Sequence, residues 1–183
     1  MGLEDLLKRL ATAFDSLKIP YMIIGGQAVM LYGEPRQTLD VDVTVRLSPA
    51  DKDKIDALVE KAGLNRPREK QLEVLKKNLV LPLIDSASGI PVELIFSPYG
   101  FEDEVIRGAI ARDIGGISVR FISADDCVIY KVIAGRPRDL EDIRGILKRS
   151  RALLDFDKIE DNLHQIESAM GRSDLLALWK SLR

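Results

Sequence analysis

The chain has 183 residues, enough for one domain whose core needs no disulfide or metal to hold it together. Hydrophobic residues make up 46% and charged residues 31%, which excludes a disordered chain, and a formal charge of −2 excludes a global pull toward nucleic acid. The single cysteine, Cys127, excludes a disulfide framework, and no apolar run approaches the roughly 18 residues of a membrane span, so no membrane partner and a cytoplasmic setting are expected.

Apolar residues at helical spacing predict an amphipathic helix over 3–17, carried by Leu3, Leu6, Leu7, Leu10, Phe14 and Leu17. After Pro20, YMII reads as a short buried strand that ends in Gly25 and Gly26, and residues 27–32 read as a short helix broken by Gly33 and Pro35. DVDVTVRL alternates with the period of a strand. SPADKDKIDALVEKAG predicts a helix with Ser48 as N-cap, Pro49 at the first helical position and Gly63 as its stop.

The run Arg66, Arg68, Lys70, Lys76 and Lys77 lacks the interleaved aromatics of a stacking nucleic-acid surface and reads as a solvated loop or helix face. NLVLPLID and IPVELIF predict a hairpin, with Pro82 marking the first of the pair as an edge. A helix is expected over 101–112, and ISVRFI as a last strand. Ser123 and Asp126 open a further helix, followed by one over 140–148 and two more within 156–182, where Trp179 and its leucines form a core stripe. The expected fold is α+β (mixed α/β), with a mixed sheet in a core over 1–122 and a helical C-terminal region over 123–183 packed on it.

Side chains at i and i+2 of a strand share a face, so Asp40, Asp42 and Thr44 stand opposite the apolar Val41, Val43 and Val45. Aspartate is a poor strand former, and two on one face repel unless a cation lies between them. Glu93 interrupts an apolar strand in the same manner, opposite Val92, Leu94 and Phe96. If the two strands are neighbours, three carboxylates share one face, an oxygen-donor set suited to Mg²⁺ and to two-metal phosphoryl chemistry. Asp85 is a rival third ligand at the end of its strand. Gly25 and Gly26, between a strand and a helix start, allow backbone N–H groups to meet phosphate closely. The bland alternative is a half-exposed strand with solvated acids.

Together, Gly25-Gly26, Asp40-Val41-Asp42 and Glu93 resemble the pattern of the nucleotidyltransferase superfamily with the polymerase-beta-type fold. GGQAVMLYGEPRQTLDVDV and SADDCVIYKVIAGRPRDLEDI are similar to a small prokaryotic branch that includes abortive-infection-type nucleotidyltransferase toxins. The resemblance implies transfer of a nucleoside monophosphate from a nucleoside triphosphate to a hydroxyl of an RNA end such as tRNA, a protein or a small molecule. It implies two Mg²⁺ ions, with Mn²⁺ as a substitute, held by Asp40, Asp42 and Glu93. It also implies nucleotide contacts from Gly25, Gly26, Arg36, Thr38, Lys131 and Arg138, with Asp139 orienting the bases. A toxin role would bring a partner antitoxin. Lys131 also fits the polar edge of an amphipathic helix, and local ion pairs would account for Arg136, Arg138, Asp139 and Asp142. The competing functional readings are a catalytically inactive module of the same fold that binds nucleotide or protein, and a metal-dependent phosphoesterase.

Overall fold

The computed structural model describes residues 2–66, 79–97 and 101–183. Most of the basic run, from Arg68 to Lys77, lies outside them. Among the described residues the chain forms a mixed α+β fold with eight α-helices and a seven-stranded sheet. It divides into two compact units, one of residues 1–27 with 38–122, the other of residues 28–37 with 123–183. Among the described residues no helix is long and apolar enough to cross a membrane.

The first unit opens with helix α1 (Leu3–Ser16), which buries Leu6, Leu7, Leu10 and Phe14 as its spacing predicts. Strand β1 (Tyr21–Ile23) leads into helix α2 (Gly25–Tyr32), whose first turn belongs to this unit. Then follow β2 (Val41–Val45), α3 (Lys52–Ala62), β3 (Leu64–Asn65), β4 (Val80–Asp85), β5 (Pro91–Phe96), α4 (Phe101–Arg107), β6 (Ile110–Ile114) and β7 (Ile117–Phe121). The sheet order is β3-β4-β5-β2-β1-β7-β6. β2 runs antiparallel to β1 and parallel to β5, while β1 and β7 are parallel. The valines of β2 and Val92, Leu94 and Phe96 of β5 are buried, as the alternation requires.

Three local expectations need correction. α3 begins at Lys52 with Asp51 before it, instead of after Ser48. The Asp51 carboxylate accepts from the Ser48 N–H at 2.8 Å and the Ser48 hydroxyl accepts from the Ala50 N–H at 3.2 Å, so residues 48–51 close a turn of their own. The helix expected to reach Arg112 ends at Arg107. Gly108 follows, and Ile110–Ile114 pairs with β7 across Gly115 and Gly116, both at positive φ. Finally, β4 is not the edge of the sheet, because β3 pairs with its last residues, Ile84 and Asp85. Pro82 pairs with Glu93 on the β5 side, and among the described residues β3 has no partner for it on the other, which suits a residue without an N–H.

The second unit contains α5 (Ala124–Ala134), α6 (Pro137–Ser150), a 3₁₀ turn (Arg151–Leu153), α7 (Phe156–Met170) and α8 (Leu175–Leu182). Ser123 caps α5, its hydroxyl accepting from the Asp126 N–H. Val128, Ile129, Val132, Ile143, Ile146, Ile159, Leu163, Leu175 and Trp179 form its core. The segment 28–37 is held to α6 by backbone proximity. The Gly33 carbonyl accepts from Arg149 at 3.0 Å and the Tyr32 carbonyl from the Ser150 hydroxyl at 2.6 Å. A Cβ on Gly145 would lie 3.1 Å from the Glu34 nitrogen, so glycine lets the two backbones approach.

Candidate active site

Asp42 lies on β2, Asp40 just before it, and Glu93 on the neighbouring strand β5. Asp42 and Glu93 are direct register partners on the parallel strands β2 and β5 and therefore share a face. Asp42 is half-buried and Glu93 exposed. Asp40 lies one residue before β2 and is exposed, its carboxylate accepting from the Thr38 hydroxyl at 2.7 Å. Its carbonyl accepts from the Gln27 side-chain amide at 3.0 Å, and the Asp42 carbonyl accepts from the Ile24 N–H at 2.9 Å. The backbone of both aspartates is thus fixed by the strand-to-helix passage that carries the glycines.

Those glycines are there for space. Gly25 has φ +62°, and a Cβ on it would stand 1.8 Å from Oδ2 of Asp42. A Cβ on Gly26 would stand 2.4 Å from the Thr38 hydroxyl. Only a residue without a side chain lets the start of α2 approach β2 so closely. Gln27, buried at 3% exposure, is a positioning residue that sequence reasoning passed over. Its signal was a lone amide in a helix of glycines and apolar residues.

On the same face as Asp42, the buried Thr44 hydroxyl has no hydrogen-bond partner. Asp85, the rival ligand, is committed elsewhere. It is buried, paired with Arg9 at 2.7 Å, and accepts from the Ser88 N–H at 3.0 Å and hydroxyl at 2.5 Å. Burial pushes its pKa up, but the Ser88 and Arg9 hydrogen bonds outweigh that and hold it below the ordinary aspartate value.

Among the described residues no group of three His, Cys, Asp or Glu side chains is gathered closely enough to hold a metal. What Asp40, Asp42 and Glu93 provide is a set of carboxylate oxygens at one end of the sheet, two of them register partners. By donor type that set fits a hard divalent cation such as Mg²⁺.

In the second unit, Lys131, Arg36 and Asp139 belong to one ionic network, with Asp142 at its centre. Arg36 donates to both Asp142 oxygens, at 2.8 and 3.1 Å. Lys131, 7% exposed, donates to Asp142 at 2.6 Å and Asp139 at 3.1 Å. Arg136 donates to the other Asp139 oxygen at 2.6 Å. Burial raises the Asp139 pKa, yet hydrogen bonds from Arg136 and Lys131 prevail and lower it. Arg138 is exposed and donates to the Gln37 carbonyl at 3.3 Å. Asp142, which the sequence offered only as one member of a local ion pair, accepts from both Arg36 and Lys131.

The solution structure of the antibiotic-resistance factor ANT(2'')-Ia is similar to this chain at 17% identity, covering 92% of each chain, with a TM-score of 0.63. Its crystal structure in complex with adenylyl-2''-tobramycin gives 18% identity, 91% and 98% coverage of this chain and that one, and a TM-score of 0.60. The lincomycin-bound lincosamide antibiotic adenylyltransferase LnuA gives 16%, 80% of this chain, 96% of that one and 0.52. These likenesses show a shared fold. No curated protein sequence matches the chain. The family model described as "Nucleotidyltransferase of unknown function (DUF6036)" matches residues 1–175, nearly the full length, and the chain is a member of that nucleotidyltransferase family.

Proposed function

We propose that this protein is a divalent-metal-dependent enzyme that moves a nucleoside monophosphate from a nucleoside triphosphate to a hydroxyl acceptor. The observation that carries the reading is the register pairing of Asp42 with Glu93, beside a glycine turn that meets the Asp42 carboxylate without a side chain between them. Asp40 and Asp42 would hold Mg²⁺, or Mn²⁺ in its place, with Glu93 completing the set. A metal bound there would polarise the α-phosphoryl group and offset its developing charge. Glu93, exposed at the strand face, takes the proton of the acceptor hydroxyl. The hydroxyl oxygen bonds to the α-phosphorus, the bond from that phosphorus to the bridging oxygen breaks, and pyrophosphate leaves with the bond's electron pair. The backbone N–H groups at the start of α2 orient the phosphates. In the second unit Arg138 is exposed and gives one donor to the Gln37 carbonyl, Arg36 gives two of its five donors to Asp142, and Lys131 gives two of its three to Asp142 and Asp139.

That one structural neighbour is complexed with adenylyl-2''-tobramycin and another with lincomycin supports a small-molecule hydroxyl as acceptor, ahead of an RNA end or a protein. The test is incubation with each of the four α-phosphate-labelled nucleotides and pools of small hydroxylated molecules, RNA or protein, with Mg²⁺ or with EDTA. Label should pass to the small-molecule fraction, should stop with EDTA, and should be lost in Asp42→Asn and Glu93→Gln. Metal-dependent nucleotide binding without transfer to any fraction would identify an inactive binding module. Transfer that persists in both variants would overturn the assignment of the acids. An acceptor in the RNA or protein fraction would redirect the reading toward a toxin and its antitoxin.

A further inference from the structure

At the end of β1 opposite the glycine turn lies a cavity of about 330 Å³, bounded by the C-terminal ends of α1 and α4 and by β7. This is within the lower part of the size range of small-ligand pockets. Lys18, Arg107 and Arg120 line it, with Asp15 as the one acid. Among the described residues none of the three cations is in an ion pair, unlike Arg9 with Asp85 and Arg46 with Asp103 in the same unit. Phe14 and Tyr21 also line the cavity, stacked with ring centroids 4.4 Å apart. The Tyr21 hydroxyl accepts from the Arg120 N–H at 3.2 Å, and its own proton meets no acceptor among the described residues. It is therefore a donor held at 1% exposure beside three unpaired cations.

The backbone supplies a second, independent observation. α1 ends in a Schellman turn, in which the Lys18 N–H reaches the Asp15 carbonyl and the Ile19 N–H the Phe14 carbonyl. The residue that must turn left-handed in such a motif is ordinarily glycine. Here it is Lys18, at φ 54°. A lysine in that position is strained where glycine would not be. The residue that takes this strain lines the cavity together with Arg107 and Arg120.

We propose that this cavity is a binding site for a small phosphate monoester with an apolar or aromatic body, separate from the acids of the candidate active site. The phosphate would accept from Lys18, Arg107 and Arg120, and the Tyr21 phenol would donate to the ligand. Pro20, exposed in the same lining, and the aliphatic stems of the three cations would meet its apolar part. Charge-assisted hydrogen bonds to guanidinium groups are the strongest available to a phosphate. The proposal does not depend on the transfer reaction.

The test is titration of phenyl phosphate into the ¹⁵N-labelled full chain with EDTA present and at low ionic strength, with phenol as the neutral control. The amides of Lys18, Tyr21 and Arg120 should shift together with phenyl phosphate and not with phenol. Arg107→Ala and Arg120→Ala change exposed side chains, and each should weaken binding about 10-fold, the scale of one charge-assisted hydrogen bond. Lys18→Gly suits the same backbone turn, so it keeps the fold while removing the cation, and it should weaken binding comparably. Asp40→Ala should leave the affinity unchanged. Shifts confined to Gly25 and Gly26, equal binding of phenol, undiminished affinity in all three cavity variants, or no shift at millimolar phenyl phosphate would each overturn the assignment.

Discussion

Oδ2 of Asp42 occupies the place where a side chain at residue 25 would begin. The distance from a Cβ at that residue would be 1.8 Å, and the backbone there has φ +62°. The first would force the Asp42 carboxylate to move, and the second strains any residue but glycine. Gly25→Ala should cost about 1–2 kcal/mol from the left-handed backbone alone. It should also push the Asp42 carboxylate away from the end of the sheet. If Asp42 acts in nucleotidyl transfer, the displacement should lower the rate on the order of 100-fold, as misplacements of about 1 Å do. Parallel measurements of denaturant midpoint and label transfer separate the two effects. An alanine variant with full activity would show that Asp42 need not stand where it does.

Asp142 accepts from two cations on different segments, Arg36 and Lys131. Asp142→Ala leaves a buried ammonium and a bidentate guanidinium without their shared acid. Removing one partner of a buried ion pair typically costs 3–5 kcal/mol, and the second unit should be destabilised by about that amount. Lys131→Met should cost less, because Asp142 keeps Arg36 and Asp139 keeps Arg136 as partners. Urea unfolding followed through Trp179, which lies in the same unit, reads the difference.

Acid stability should follow Asp139. Its folded pKa lies below the ordinary aspartate value, since hydrogen bonds from Arg136 and Lys131 outweigh burial. A depressed folded pKa means that the unfolded chain binds the proton more readily. The contribution is fully present above the unfolded value and is lost as pH falls from about that value through the lower folded one. Asp139→Asn should flatten the loss of stability below pH 4 or so and lower stability at neutral pH. Midpoints of urea unfolding across that range check both signs.

Cys127 should be inert in the folded protein. Burial pushes its thiol up to about 12, and the nearby Lys131 charge does not compensate. A thiolate is the reactive form, so alkylation by iodoacetamide at neutral pH should wait for unfolding. The alkylation rate in increasing urea should follow the unfolding of the second unit. Prompt labelling of the native chain would contradict the burial.

Alternation alone disclosed the acids' face: Val41, Val43 and Val45 had to be buried, and so Asp42 had to stand opposite them. The same logic applied to Glu93. That β2 and β5 are neighbours was open, since strand pairing across α3 and the β3–β4 connection is a tertiary outcome that no local pattern encodes. Arg36 and Asp142 are 106 positions apart, and only folding pairs them. Gln27 holds the Asp40 carbonyl for the same kind of reason. The α4–β6 boundary was misplaced because Ile110 and Ile114 suit a helix face four residues apart as well as one side of a strand. Gly108 was the cue. Ser48 looked like an N-cap because Ser-Pro is the usual opening, but Asp51 reaches back to its N–H and takes over. In contrast, Gly63, Gly135 and Gly171 stop their helices left-handed, a role that glycine signals in advance.

The residues 28–37 have a consequence for anyone wishing to cut this protein in two. They belong with residues 123–183, although residues 38–122 of the other unit intervene in the chain. A fragment starting at Ser123 would lack Arg36, the partner of Asp142, and the Gly33 and Tyr32 carbonyls that receive Arg149 and Ser150. A fragment ending at Ile122 would carry the same ten residues as an orphaned insert. Neither half is a heritable module that recombination could pass on by a single crossover, and the two units must be inherited together.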